Sequence, residues 1–480
     1  MVIARKIAYN VVVNVITKIL STVLALVGIG LITRYLGTEG FGQYATVLAF
    51  FAFFGALADL GLYAIATREI SREGADEEAV LGSVLGLRIT SAALVVLASP
   101  FLAALLPYPF HVKAGIVLAA LSFGFSSTYL VLNGLFQKNL AMDRVGIAEV
   151  LGKILQIIGI FLAVKLDLGF DAVVGAMVFS LAFNCLAVIL LSRRYAKIRL
   201  DFDTRKWRAF LKESLPMGVS VLVTFAYFKL DTIILSMLKE SADVGVYNAA
   251  YKVIENLTFF PSMIIGLVFP MMSRYVFSNT KRFSELLNET LRVFVIMAIP
   301  MVIGTLLLSD QIIALIGGSE FSASAQVLRI LIFSLAAIFF GNFFNNILVA
   351  AGKQALLMRI LAVCAAFNIT ANLFLIPRFS YMGAATTSVA TELLVVILTA
   401  LASLKVTAYR PRLERLGAIL FSGAGLALFL WISSSYGLFL RVLGGMIVYA
   451  FFLWLSRAIT ATEILSIVRV GKTKEAPLEI

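Results

Sequence analysis

Ionisable side chains stand where apolar sequence should exclude them: Lys18, Asp59, Arg88, Glu149 and Lys153 in the first half, and Lys229, Asp231, Lys252, Glu255 and Glu392 in the second. A Lys, Arg or Asp at mid-membrane depth costs about 2.5–3.5 kcal/mol on insertion scales, so such a residue usually faces a wet cavity or a partner. Glu149 and Lys153 are four apart, in the favourable order for a helical ion pair, and Lys252 and Glu255 share one helical face; both pairs could be purely structural. Lys18, Arg88 and Lys229 have no such local partner, because Asp231 lies two residues from Lys229 and points elsewhere on the helix. With Lys153 and Lys252 they are the candidate cavity-lining, substrate-binding cations. Asp59, Glu149, Asp231, Glu255 and Glu392 are the candidates for coupling or charge pairing. Several cations in a cavity of reduced dielectric would favour a phosphate or diphosphate, which offers opposite charge and several acceptors. Snorkelling to the nearer interface is the competing explanation for each cation, above all for Lys18, about 12 Å into its helix.

Other chemistry lacks its parts. His111 is the only histidine, in a short loop after Pro107 and Pro109, so neither a histidine-based metal site nor a Ser/His/Asp triad can be assembled. Cys185 and Cys364 lie far apart inside apolar runs, with no metal spacing or disulfide framework, and are expected to be buried and inert. No P-loop is present, and the loops leave no room for a nucleotide-binding domain. Energy must then come from an ion gradient, the membrane potential or the substrate's own gradient. The longest external stretch, 308–326, holds only Asp310 and Glu320 as acids, too few for a membrane-embedded glycosyltransferase or polymerase. No enzyme activity, cofactor or metal is expected.

The elements that must position these charges are transmembrane helices. Of 480 residues 61% are hydrophobic and 14% charged, against about 45–50% and 25% in soluble domains. Apolar runs of about 20 residues, enough to cross a hydrocarbon core of about 30 Å, recur throughout. The spacing predicts spans near 10–34, 41–66, 80–106, 113–136, 145–166 and 170–192. After a basic stretch they resume near 213–237, 244–272, 287–309, 323–349, 355–376, 381–404, 413–433 and 437–456. The first run, interrupted by Lys18 and followed by no small-residue cleavage site, reads as an uncleaved span. Pro216, Pro261, Pro270 and Pro300 could kink their helices. Asn342, Asn345 and Asn346, and Asn368 with Asn372, suit interhelical hydrogen bonding.

Most of the 40 Lys and Arg residues fall on the side of the termini, which places both termini in the cytoplasm. That topology accounts for the net charge of +13 without a nucleic-acid partner. The expected organisation is a six-helix lobe at 1–195, a basic cytoplasmic linker at 196–212, a second six-helix lobe at 213–410, and two further helices with a short tail at 411–480. The halves echo each other. RYLGTEGFGQY, Arg34 to Tyr44, and MLKESADVGVY, Met237 to Tyr247, hold matching places with Tyr44 and Tyr247 in register. Val174-Gly175-Ala176 and Met382-Gly383-Ala384 open the sixth and twelfth spans. Six spans is an even number, so the repeats share one orientation about an axis along the membrane normal, with a substrate path expected between them.

Arg34 to Tyr44, then ADLGL at Ala58 to Leu62 and TREI at Thr67 to Ile70, with VGVYNAAYKV at Val244 to Val253 in the second half, resemble the polysaccharide-export (Wzx-like) flippases. These belong to the superfamily of multidrug, oligosaccharidyl-lipid and polysaccharide exporters, and the resemblance covers essentially the whole chain. It implies an all-α integral membrane protein of about fourteen helices: two six-helix lobes forming a V around a cationic cavity, plus two C-terminal helices. It also implies alternating access that carries a polyprenyl-(di)phosphate-linked oligosaccharide from the cytoplasmic to the outer leaflet of the cell membrane. Cavity positions carry over by placement only, at Lys18, Arg88, Lys229 and Lys252, and no sodium-site pattern carries over. Expected partners are the lipid-linked oligosaccharide, membrane lipids and glycan-assembly enzymes, with the chain a monomer. Two alternatives stay open: a multidrug exporter of the same superfamily, for which an acid-rich cavity would be the better fit, and a non-transporting membrane scaffold.

Overall fold

The computed structural model describes residues 2–458 apart from 60, 72, 73, 75, 198 and 408, and every regular element among them is helical. In chain order the helices are α1 (Val2–Asp59), α2 (Leu62–Ile70), α3 (Glu77–Leu105), α4 (Phe110–Lys138), α5 (Met142–Lys165), α6 (Gly169–Ser192) and α7 (Thr204–Leu238). They continue as α8 (Ser241–Leu257), α9 (Phe259–Tyr275), α10 (Thr280–Gly317), α11 (Ser322–Ala350), α12 (Gln354–Thr407), α13 (Leu416–Ile432) and α14 (Leu438–Leu455). Among the described residues eleven helical stretches are long and apolar enough to cross a membrane. The expected spans lie on these helices, except that 41–66 runs from α1 into α2 and 244–272 from α8 into α9, and the protein is a multi-pass membrane protein.

The breaks have local causes. α1 consists of two helices joined at Gly37, whose φ of 65° lies in the left-handed region that glycine enters without strain. α12 is joined in the same way at Ser380, where a φ of 48° is held with help from the side chain: its hydroxyl donates to Asp243 Oδ2 at 2.5 Å. The expected span 244–272 divides between α8 and α9, because Pro261 can neither donate to the carbonyl of Leu257 nor avoid it. Pro300 lies inside α10 and leaves the carbonyl of Ile296 without its helical donor; the Tyr449 hydroxyl donates to it instead at 2.9 Å.

Two compact units make up the chain. The first contains Met1–Asn256, Ile313–Val327 and Met358–Thr391. At one end its core is built from Ala66 and Ile70 of α2, Leu81, Val84 and Leu85 of α3, and Leu132, Leu135 and Phe136 of α4. Elsewhere it relies on small residues, which let helices approach closely where lipid provides no hydrophobic drive. Gly146 faces Thr17, Gly159 faces Ala176, and Gly152 faces Asn184 while its carbonyl accepts from Ser180 Oγ at 2.8 Å. The second unit contains Leu257–Ile312, Leu328–Leu357 and Glu392–Ile480. There Val295 and Leu308 of α10 pack with Ile419, Leu426 and Leu430 of α13 and Leu453 of α14.

Two glycine contacts in the first unit matter for function. A β-carbon on Gly42 would overlap the carbonyl of Ser241, and one on Gly245 would overlap the carbonyl of Thr38. The same sequence offset separates Thr38 from Ser241, Gly42 from Gly245 and Tyr44 from Tyr247, so α1 and α8 meet through matching motifs. The second contact seats the linker: β-carbons on Gly82 and Gly86 of α3 would overlap the carbonyls of Arg199 and Asp201. Asp201 N–H donates to Gly82 O at 3.1 Å, and the Trp207 ring lies against Gly86. A Gly-x-x-x-Gly notch thus holds the strap between α6 and α7.

Candidate functional site

Charges from both repeats gather within the first unit. From α1 and α5 come Lys18, Glu149 and Lys153; from α7 and α8 come Lys229, Lys252 and Glu255. Lys229 Nζ meets Glu255 Oε1 at 2.5 Å, and Lys252 Nζ meets Glu255 Oε2 at 2.7 Å. Lys18 Nζ stands 3.9 Å from Glu149 Oε1, with its side chain 48% exposed. Lys153 lies within electrostatic reach of Glu149, Lys252 and Lys18, which brings the charges of the two repeats together.

The pairing differs in part from the sequence expectation. Lys252 and Glu255 do pair. Glu149 pairs with Lys18 on another helix rather than with Lys153 one turn along, and Lys153 Nζ donates to Gln156 Oε1 at 3.1 Å. Lys229, expected to lack a local partner, finds Glu255 on the neighbouring helix. The cluster therefore holds more lysines than carboxylates, and Lys153 makes its hydrogen bond to a neutral amide. Partly exposed ammonium groups of this kind can donate charge-assisted hydrogen bonds to a phosphate.

Arg88 is buried on α3 with 1% of its surface exposed, and Glu392 is buried on α12 with 5% exposed. The side chain of Asp59 lies outside the described residues. His111 Nε2 stands 2.8 Å from Gln43 Oε1, and Cys185 and Cys364 are buried and form no disulfide.

A second polar site surrounds Asp231. Its carboxylate is 2% exposed and accepts from Ser388 Oγ at 2.5 Å, Tyr247 Oη at 3.1 Å and Asn372 Nδ2 at 2.7 Å. Asn372 Nδ2 also donates to Asn368 Oδ1 at 3.0 Å, and Asn368 Nδ2 donates to Thr391 Oγ1 at 3.2 Å. These hydrogen-bond partners are all neutral. Asn372 Oδ1, buried in the same niche, accepts no hydrogen bond. A carboxylate buried among neutral donors, next to an oxygen lacking a donor, suits uptake of a proton or a small monovalent cation, which would relieve the cost of the buried charge. Among the described residues no group of three or more His, Cys, Asp or Glu side chains could hold a metal ion.

Tyr247 and Tyr251 link the two sites. Their rings stack at 5.6 Å with planes 17° apart, and Lys229 Nζ sits 5.1 Å from the Tyr251 ring centre. In the sequence Tyr247 and Tyr251 belong to the Val244–Val253 motif without an assigned role, and Gln156 and Ser388 go unmarked. Their one signal was the i, i+4 spacing of two tyrosines beside Lys252.

A profile of the polysaccharide biosynthesis protein family matches residues 3–276, and one of the MatE family matches 216–374. A probable low-salt glycan biosynthesis flippase, Agl15, from Haloferax volcanii is 23% identical over 471 residues, covering 95% of this chain and 97% of the relative. A putative O-antigen transporter from Shigella flexneri is 25% identical over 410 residues, 78% of this chain and 92% of that one. Among solved structures, the lipid II flippase MurJ in its inward closed conformation superposes with a TM-score of 0.73 at 16% identity, over 96% of this chain and 99% of that one. The chain shares that transporter's fold.

Proposed function

Because the chain belongs to the polysaccharide biosynthesis protein family, we propose that it flips a polyprenyl-(di)phosphate-linked oligosaccharide from the cytoplasmic to the outer leaflet of the cell membrane, and that it is not an enzyme. The observation that carries this reading is the cluster of Lys18, Lys153, Lys229 and Lys252, drawn from both repeats and only partly balanced by Glu149 and Glu255. The lysines hold the phosphate of the head group in water while the isoprenoid tail remains in lipid, and rearrangement of one repeat against the other changes the side that the head group faces. Both termini are cytoplasmic, the chain works as a monomer because it contains both repeats, and glycan-assembly enzymes supply and consume its cargo.

Asp231 serves as the coupling group, taking up a proton or monovalent cation in the niche of Ser388, Asn372 and Tyr247. Arg88 contributes to the same cationic path and Glu392 to charge pairing, while 1–195 and 213–410 act as the two lobes joined by 196–212. The MatE-family match over 216–374 favours export of organic cations as the second reading. Translocation of a fluorescent polyprenyl-diphosphate oligosaccharide in proteoliposomes, with a cationic dye as competitor, separates the two: movement of the sugar lipid alone supports the flippase, and movement of the dye alone overturns it.

A further inference from the structure

Asp231 and Lys229 lie two residues apart on α7 and so project to different sides of the helix. α8 nevertheless joins them through side chains. Tyr247 Oη donates to Asp231 Oδ2 at 3.1 Å and stands 3.1 Å from Ser388 Oγ. The Tyr247 ring stacks on Tyr251 one helical turn away, the Tyr251 ring carries Lys229 Nζ at 5.1 Å, and Lys229 pairs with Glu255. Tyr251 is fixed from its far end, its hydroxyl donating to Phe228 O at 2.8 Å. Both members of the stack are therefore anchored to α7, one at Asp231 and one beside Lys229.

We propose that Tyr247 and Tyr251 are positioning residues that transmit the ionic state of Asp231 to Lys229, and so to the lysines that hold the phosphate; this rests on the function proposed above. When Asp231 is an anion it accepts from Tyr247 Oη and from Ser388. When Asp231 takes up a proton or a cation, one acceptor position is lost and Tyr247 Oη keeps only Ser388. The tyrosine shifts, its stacked partner shifts with it, and Lys229 loses or regains the ring face that fixes its ammonium against Glu255. A stacked pair that takes one arrangement for each state of Asp231 is the kind of element that can carry coupling between sites. Asp231 also acts on Lys229 directly through space, which is the competing route.

The test uses the full-length protein in nanodiscs and needs no knowledge of the glycan. The first readout is the rate at which acetic anhydride acylates Lys229 without ligand, followed by mass spectrometry and referenced to surface Lys206. The second is the affinity for farnesyl diphosphate. Asp231→Asn is expected to change the Lys229 rate by about fivefold or more, the lower end of typical coupling between sites. That change should collapse in a Tyr251→Leu background and fall in Tyr247→Phe and in Tyr251→Phe, each of which keeps the ring and loses only an anchoring hydroxyl. An undiminished effect in Tyr251→Leu assigns the coupling to through-space electrostatics and overturns the proposal, as does the absence of any effect in the otherwise unaltered protein. Failure of the protein to bind farnesyl diphosphate would count against the flippase reading alone, because the acylation rates report on the relay without ligand.

Discussion

Lys18 reaches Glu149 from another helix at 3.9 Å, while Lys153, one turn from that carboxylate, bonds to Gln156 instead. The carboxylate therefore serves two cations loosely rather than one tightly. Its removal leaves Lys18 and Lys153 with more charge to offer an anion. Glu149→Gln should tighten farnesyl diphosphate binding severalfold and change stability by less than about 1 kcal/mol, since exposed pairs contribute little. Lys153→Met should weaken the same binding by about tenfold or more, the value of a hydrogen bond to a charged group. Calorimetric titration checks both, and a Lys153→Met protein that binds as tightly as the parent removes Lys153 from the site.

Asp231→Asn preserves the size of the side chain and one acceptor oxygen while removing the charge. Acceleration of flipping by a proton or sodium gradient should disappear, and exchange without a gradient should remain. Proteoliposome flux with each gradient imposed separately identifies the coupling ion. Full gradient-driven flux in the variant would exclude Asp231 from coupling.

Gly42→Val and Gly245→Val should behave alike, because each would place its side chain against the carbonyl of the equivalent turn in the other repeat. Either should separate the two turns and cost about 1–3 kcal/mol in overpacking. Thermal unfolding of the purified variants checks this: both midpoints should fall by similar amounts, and an unshifted midpoint in either variant would remove that glycine from the contact.

The linker strap provides a pH-dependent signal. Lys206 Nζ donates to Asp201 Oδ2 at 2.6 Å and holds that carboxyl below the usual aspartate range. A depressed carboxyl pKa stabilises the seated strap above the ordinary value of about 3.9, and the contribution is lost as pH falls through the lower folded value. The emission of Trp207 should therefore shift only as pH falls below the ordinary aspartate value, and Lys206→Met should move the transition upward. Gly82→Leu should dislodge the strap at neutral pH and produce the same spectral change there.

The helical spans were legible because they depend on local sequence, apolar length above all, and the close contact of α1 with α8 was marked in advance by matched motifs around Tyr44 and Tyr247. Lys252 with Glu255 was legible for the same reason, being a one-turn pair. Lys229 with Glu255 and Lys18 with Glu149 were not, since each joins residues far apart in sequence whose helices meet only after packing. The Asp231 niche was half visible. Asn368 and Asn372 stood out as polar residues in an apolar span, but Ser388 and Tyr247 resemble ordinary interhelical hydrogen bonders until the fold brings them to one carboxylate. Gly82 and Gly86 went unmarked in the sequence, because a Gly-x-x-x-Gly spacing inside an apolar run looks like a helix-packing motif until the extended linker is seen seated in it.

The reciprocal fit of Gly42 and Gly245 also bears on symmetry. A surface that binds its own equivalent has the geometry of a two-fold contact, made here within one chain. The match does not extend along the helices. At the offset that aligns the two glycines, Asp231 falls opposite Gly28 and Lys229 opposite Leu26. The ion niche is in this sense a specialisation of one half, built beside a symmetric joint.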